Sequence, residues 1–403
     1  METRPLYQHI WNELSDNKAM VFISGPRQAG KTTLARLIGA QFANVVYCNY
    51  DLITHKKLLN EKPTFFEDAP RRDASPPLVI FDEIHKHRRW KNYLKGIYDQ
   101  YAEHYRFLVL GSGCLNVFQK GGDSLAGRYA LFTLWPLTLA ELMNQRRTLA
   151  DFLKNPTTVI PPLPDAGARW NDLGRLSGFP EPFFSGKENA YRRWANTYHK
   201  QLIREDIRNM TEIKNIDDVE ILFSLLPSRI GSPISMDALA RDIQVSFNSI
   251  RHWLNIFESF YLIFRLSPWT KKISRAITRE KKLYFFDTVA VVDPAARFEN
   301  MVALELLRAV SNWNDLGEGR FGLHYLRTKE KEEVDFVLSA NDVPFLLIET
   351  KLSDDVLSKS LAKFQNRLDI PSVQLVNQPN VLKILNQGRT LVISAHDWLP
   401  LLP

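Results

Sequence analysis

In the first part of the chain, Gly25-Pro26-Arg27-Gln28-Ala29-Gly30-Lys31-Thr32 follows the spacing G-x-x-x-x-G-K-[ST]. The glycines let the backbone curl until successive N–H groups converge at a helix N-terminus, where an anion is favoured. Lys31 puts a positive charge where the β- and γ-phosphates of a nucleoside triphosphate would lie, and the Thr32 hydroxyl can ligate Mg2+. With Thr33, which follows, these residues make up the expected binding set for ATP and Mg2+. Further on, the apolar run Leu78-Val79-Ile80-Phe81 ends in Asp82-Glu83. A strand of this kind delivers Asp82 to the metal ion from the edge of a sheet. Glu83 then stands where a general base would polarise the attacking water. The set describes hydrolysis of a phosphoanhydride.

The elements that must position these residues are those of an open α/β domain. Ala19 to Ser24 predicts a strand, and Lys31 to Phe42 a helix. Further strands are expected at Asn44 to Tyr47, Leu78 to Phe81, Phe107 to Leu110 and Ala130 to Leu134. Trp90, Leu94, Ile97, Tyr98 and Tyr101 mark one helix face at 3.6-residue spacing, which reads as core rather than chemistry. A proline-bearing stretch from Asn155 to Trp170 is the best candidate boundary, and helical periodicity resumes from Glu188 to Met210.

The strings Gly25 to Leu34, Ile80 to Ile84, Gly111-Ser112, Ser124 to Arg128 and Trp135-Pro136-Leu137 resemble a prokaryotic group of AAA+ ATPases with a C-terminal domain of unknown function. The resemblance runs on through Gly178-Phe179-Pro180 to the last segment. It implies that Ser112 is a polar sensor facing the γ-phosphate or the water. It also implies that Arg128 is an arginine finger reaching a neighbouring subunit's ATP, in a homo-oligomeric ring of about six subunits. A structural arginine at a strand start is the plainer reading of Arg128. Arg204 and Arg208 are both candidates for a second sensor.

In the middle of the chain, Ser235 to Ile243, a break at Gln244-Val245 and Ser246 to Phe257 read as helix-turn-helix, with Tyr261 to Leu266 starting a wing. Ile250, Leu254 and Phe257 form the buried face of the second helix, leaving Asn248, Arg251, His252 and Asn255 outside. From Arg229 to Lys282 there are ten Lys or Arg and four Asp or Glu, a local net of +6. Lys271, Lys272, Arg275, Arg279, Lys281 and Lys282 crowd the place where a wing would touch backbone phosphates. The expected DNA contacts are Asn248, Arg251, Lys271, Lys272 and Arg275. A basic solvated face, or a protein-contact module, would use the same residues.

Near the end, Glu333 to Leu338 is followed, after a turn at Asn341-Asp342, by Phe345 to Lys351. Alternation puts Asp335 on the face opposite Val334 and Phe336, and gives Leu347, Glu349 and Lys351 one shared face. The arrangement resembles the core of the PD-(D/E)xK nucleases, although the leading proline-aspartate pair is absent. That resemblance implies that Asp335 and Glu349 hold Mg2+ with a backbone carbonyl, while Lys351 orients or activates water. Glu299 is an additional ligand candidate on the preceding helix, and Gln365 follows on the next. Cutting and mere binding are both open to such a scaffold.

The 403 residues are too many for one core. The expected class is α/β, in four parts. An AAA+ ATPase domain covers 1–150, and a linker with a helical lid 151–228. A winged helix follows at 229–290, then a restriction-endonuclease-like domain at 291–403. A net charge of +7 favours an anionic partner. Cys48 and Cys114 form no disulfide framework or metal cluster, and no signal peptide or membrane span is evident, which points to the cytoplasm. The leading expectation is an oligomeric ATPase acting on duplex or branched DNA, with nuclease activity open. The rival is a nucleotide-dependent signalling or defence switch whose C-terminal domains hold partner proteins.

Overall fold

The computed structural model describes residues 4–111, 125–145, 147–208, 213, 215–270 and 280–403. The chain divides into two compact units, one ending at Trp135 and the other running from Pro136 to Pro403. The expected divisions at 228 and 290 lie inside the second unit, as does 136–150.

In the first unit, apolar runs too short for helices become the strands β1 (Met20–Ser24), β2 (Val45–Asn49), β3 (Leu78–Asp82), β4 (Arg106–Leu110) and β5 (Ala130–Thr133). They form one parallel sheet in the order β2-β3-β4-β1-β5. β1 and β3 are buried at every position, as strands covered on both faces must be. Helices α1 (Pro5–Asn17), α2 (Lys31–Gly39) and α3 (Trp90–Tyr101) belong to this unit. Trp90, Leu94, Ile97 and Tyr101 of α3 join Phe22, Phe81 and Phe107 in one apolar cluster. Those aromatics are core, as their spacing predicts. Because the strands are parallel, their C-terminal ends share one edge. β4 alone separates β1 from β3, so the loop after β1 and the acids after β3 face each other there.

In the second unit, α4 (Glu188–Gln201) precedes two short helices, α5 (Met236–Ile243) and α6 (Phe247–Ser259). Both are capped by serine: Ser235 accepts from the Ala238 N–H, and Ser246 accepts from the Ser249 N–H at 3.0 Å. Gln244, at φ 60°, makes the turn between them. An antiparallel pair follows, β6 (Ile263–Leu266) with β7 (Lys282–Phe285).

The long helix α7 (Pro294–Asp315) then starts on Asp293, which accepts from the Ala296 N–H at 2.8 Å. Strands β8 (Phe321–Arg327), β9 (Glu333–Ala340), β10 (Val343–Lys351), β11 (Ser372–Val376), β12 (Leu382–Leu385) and β13 (Thr390–Ser394) form a mixed sheet. Its order is β12-β13-β11-β10-β9-β8. The hairpin between β9 and β10 turns on Asn341 and Asp342, both at positive φ, as expected there. Helix α8 (Lys359–Leu368) lays Leu361 and Phe364 on Val334, Val337 and Leu347. Strands β8, β12 and β13 go beyond the expected succession of helix, two adjacent strands, helix and strand. Gly322 reads as a break within the first, and the second is too short to show a period. No helix among the described residues is long and apolar enough to cross a membrane.

Candidate functional site

The loop after β1 has the conformation its glycines require. Gly25 sits at φ 138°, and a Cβ there would lie 2.2 Å from the Leu134 carbonyl oxygen. Gly30, at φ 97°, is the N-cap residue of α2, so the helix begins at Lys31 with its first N–H groups turned toward the loop. The Lys31 ammonium folds back over this turn and donates to the carbonyls of Gly25 at 2.9 Å and Pro26 at 2.6 Å.

Thr32 meets Asp82 across the sheet edge. The Thr32 hydroxyl donates to Asp82 Oδ2 at 2.9 Å, and Asp82 is 5% exposed. A hydroxyl and a carboxylate this close, beside a phosphate-binding loop, suit a hard cation that keeps some of its waters. The residues fit Mg2+. Tyr47 on β2, which the sequence reading missed, donates to the same Asp82 oxygen at 2.8 Å. Burial, then the bond and charge of Asp82, push the Tyr47 phenol up to about 12, so it stays a donor.

Glu83 follows in the left-handed region, at φ 55° and ψ 23°, a strained backbone for a residue with a side chain. Its Oε2 lies 3.2 Å from the Lys86 ammonium and 3.5 Å from His85 Nε2. Lys86 also reaches both carboxylate oxygens of Asp51 at 2.7 Å. Burial works against the Lys86 charge, but Asp51 and Glu83 outweigh it and hold its pKa above the ordinary lysine value. Burial pushes His85 down, so it is neutral near pH 7 and the positive partner of Glu83 is Lys86.

Arg128 is tied to Asp99 of its own chain, Nε to Oδ1 at 2.6 Å and Nη2 to Oδ2 at 3.3 Å. Ser112 lies outside the described residues, as do Lys271, Lys272 and Arg275. Arg204 pairs with Glu220 and Asp217 on its own unit. On α6, Asn248, Arg251, His252 and Asn255 are exposed, while Ile250, Leu254 and Phe257 are buried.

The acids of the second unit lie near one another, each with a donor of its own. Asp335 Oδ2 accepts from the Thr350 N–H at 2.9 Å and from the Thr350 hydroxyl at 2.6 Å. Glu349 is bound by Lys351 at 2.8 Å, and burial with the nearby charge of Asp335 pushes it up to about 7. Glu299 accepts from Tyr284 at 2.7 Å, and burial, reinforced by Asp335, brings it to about 7 as well. Lys282 corrects the sequence reading most directly. It was counted among cations available to phosphate, yet it is wholly buried, 3.0 Å from Glu299, 2.5 Å from Glu333 and 3.5 Å from Asp335. Burial opposes its charge, but the three carboxylates outweigh that and raise its pKa. Glu299, Asp335, Thr350 and Lys351 line one cavity of about 300 Å³. No group of three or more His, Cys, Asp or Glu among the described residues is arranged to hold a metal ion.

Comparison with known proteins finds three family matches along the chain. An AAA domain family model matches residues 17–143. Two domains of unknown function, DUF8612 and DUF4143, match 169–292 and 295–396. Uncharacterized proteins of Mycobacterium bovis and Mycobacterium tuberculosis are each 24% identical over 359 residues, covering 85% of this chain and 72% of theirs. Among solved structures, a Walker-type ATPase of Pyrococcus abyssi is 15% identical, covering 72% of this chain and 95% of its own, at a TM-score of 0.44. The Drosophila ORC bound to DNA is 11% identical over 68% of this chain and 89% of that one, at a TM-score of 0.26.

Proposed function

From a P-loop ATPase domain of the AAA kind at residues 17–143, we propose that the protein is a Mg2+-dependent ATPase that works as a homo-oligomer on duplex or branched DNA. The observation that carries the hydrolytic part is the meeting of Thr32 and Asp82 at 2.9 Å beside the glycine loop. Thr32 and Asp82 would hold Mg2+, which supplies charge neutralisation at the phosphates when bound. The N–H groups from Arg27 to Thr32 and the Lys31 ammonium bind the phosphate oxygens. Tyr47 orients Asp82. Glu83 takes the proton of the attacking water on a carboxylate that the Lys86 ammonium keeps in place. Arg128, on leaving Asp99, would reach the ATP of a neighbouring subunit.

The DNA part of the reading rests on α6. Its outer face carries Asn248, Arg251 and His252 free of the core, in a stretch with a net charge of +6 from Arg229 to Lys282. Lys282 is buried and leaves that surface, so the available net is nearer +5. We read α5, α6 and the β6–β7 pair as a winged helix, and the last sheet as a PD-(D/E)xK-like scaffold that grips DNA. The test is ATP turnover with and without duplex and four-way junction DNA over a range of salt. Stimulation that fades as salt rises supports the reading. Slow turnover indifferent to DNA supports a nucleotide-dependent switch that holds partner proteins.

A further inference from the structure

The C-terminal acids are a test of whether a metal ion fits where the nuclease resemblance puts one. Three carboxylates from two elements converge: Glu299 on α7, and Glu333 and Asp335 on β9. At their centre stands Lys282 of β7, none of it exposed, with its ammonium 2.5–3.5 Å from an oxygen of each. Every one of these acids has a further donor. Tyr284 donates to Glu299 at 2.7 Å, Arg327 to Glu333 at 3.0 Å, and Thr350 to Asp335 at 2.9 and 2.6 Å. Glu349, the remaining expected ligand, is held by Lys351. The Lys282 ammonium also lies 5.6 Å from the centre of the Tyr325 ring, which favours a cation.

We infer that this acidic cluster takes its cation from the chain itself: Lys282 holds the position of a divalent ion, so the cluster holds no metal for cutting. A Mg2+ ion needs oxygens at 2.0–2.1 Å in near-octahedral order. An ion that close to Asp335 and Glu299 would lie against the ammonium already bonded to Glu299 and facing Asp335, and a second cation in the same buried cage is repelled. Removing the ammonium would leave the carboxylates uncompensated, and a metal ion is the obvious replacement. Lys282 also ties the end of β7, next to the basic stretch 271–281, to α7 and β9. The lysine therefore joins these three elements and occupies the place where the nuclease resemblance puts a metal ion. The inference is independent of DNA as the partner, because its test uses none.

The experiment is Mn2+ binding to the full chain, nucleotide-free and carrying Asp82→Asn so that the ATP site contributes no ion. Electron paramagnetic resonance of free Mn2+ reads the count. With Lys282 intact, no bound ion that depends on Asp335 is expected. Lys282→Met should gain one Mn2+, and the added Asp335→Asn should lose it again, while Lys282→Arg keeps the charge and gains none. A Mn2+ ion bound with Lys282 intact and lost on Asp335→Asn overturns the inference, even if Lys282→Met fails to fold. A folded Lys282→Met protein that gains no ion overturns it too.

Discussion

Tyr47→Phe removes one hydroxyl and leaves the ring on β2. In the wild type that hydroxyl donates to Asp82 Oδ2 at 2.8 Å, beside the Thr32 bond at 2.9 Å. If Thr32 and Asp82 hold Mg2+, the Thr32 oxygen would give the metal a lone pair while its O–H still donates to Asp82, and Tyr47 would be the second donor that fixes the carboxylate. A hydrogen bond to a charged group contributes ~1.5–3 kcal/mol, and Tyr47 is only half-buried, which selects the low end. About 1.4 kcal/mol is a tenfold change in an equilibrium constant, so the Mg2+ concentration giving half-maximal hydrolysis should rise about tenfold. Loss of an outer partner of a metal ligand has the same scale, ~10–100-fold. The assay is ATP turnover at saturating ATP across a Mg2+ titration. The expected result is a shifted midpoint with a nearly unchanged plateau. An unchanged midpoint would refute the orienting role, and a collapsed plateau would mean that Tyr47 acts on the chemistry itself.

Arg128→Ala should bind ATP normally and hydrolyse it poorly, with wild-type specific activity rising with protein concentration. Full activity of a dilute, monomeric wild type would remove the finger role. Arg251→Ala should lower the magnitude of the log–log salt slope of DNA binding by about one, and neutralising Lys271, Lys272 and Arg275 as well should lower it by about three more. Fluorescence anisotropy at several salt concentrations reads both. Glu305, on α7, accepts from the Leu139 N–H and is pushed by burial up to about 7 from an ordinary 4.5. The folded state therefore binds its proton more tightly than the unfolded chain. The stability this group contributes is complete below pH 4.5 and is lost as pH rises through about 7, ~3 kcal/mol in all. Glu305→Gln removes the titration, so denaturant titrations at several pH values should show a flatter profile than wild type. Parallel profiles would contradict the buried acid.

The nucleotide site was legible because its determinants are local. Gly25 and Gly30 sit where only glycine is comfortable, and Lys31 and Thr32 open the helix that the loop feeds. Asp82 and Glu83 follow a run whose burial needs no partner to be recognised. Tyr47 and Lys86 were not legible, because their partners depend on sheet order and on a turn: β2 lies beside β3, and Glu83 bends the chain back onto Lys86. The hairpin carrying Asp335, Glu349 and Lys351 was readable from alternation and the Asn341-Asp342 turn. Its electrostatics were not. Lys282 looks like one more basic residue in a basic stretch, and only folding brings α7, β7 and β9 together around its ammonium. The same limit applies to Arg128, whose partner Asp99 lies on α3, a helix read only for its apolar face.

The most direct test of the account compares ATP binding and ATP turnover in wild type, Lys31→Ala and Glu83→Gln, measured side by side at saturating Mg2+. Lys31→Ala should lose binding, because it removes the charge that faces the phosphates. Glu83→Gln should bind ATP as wild type does, since Thr32 and Asp82 are untouched, and should hydrolyse it ~10²–10⁴-fold more slowly for want of a base. Turnover by Glu83→Gln at the wild-type rate, or a wild type that binds ATP and never hydrolyses it, would contradict the account.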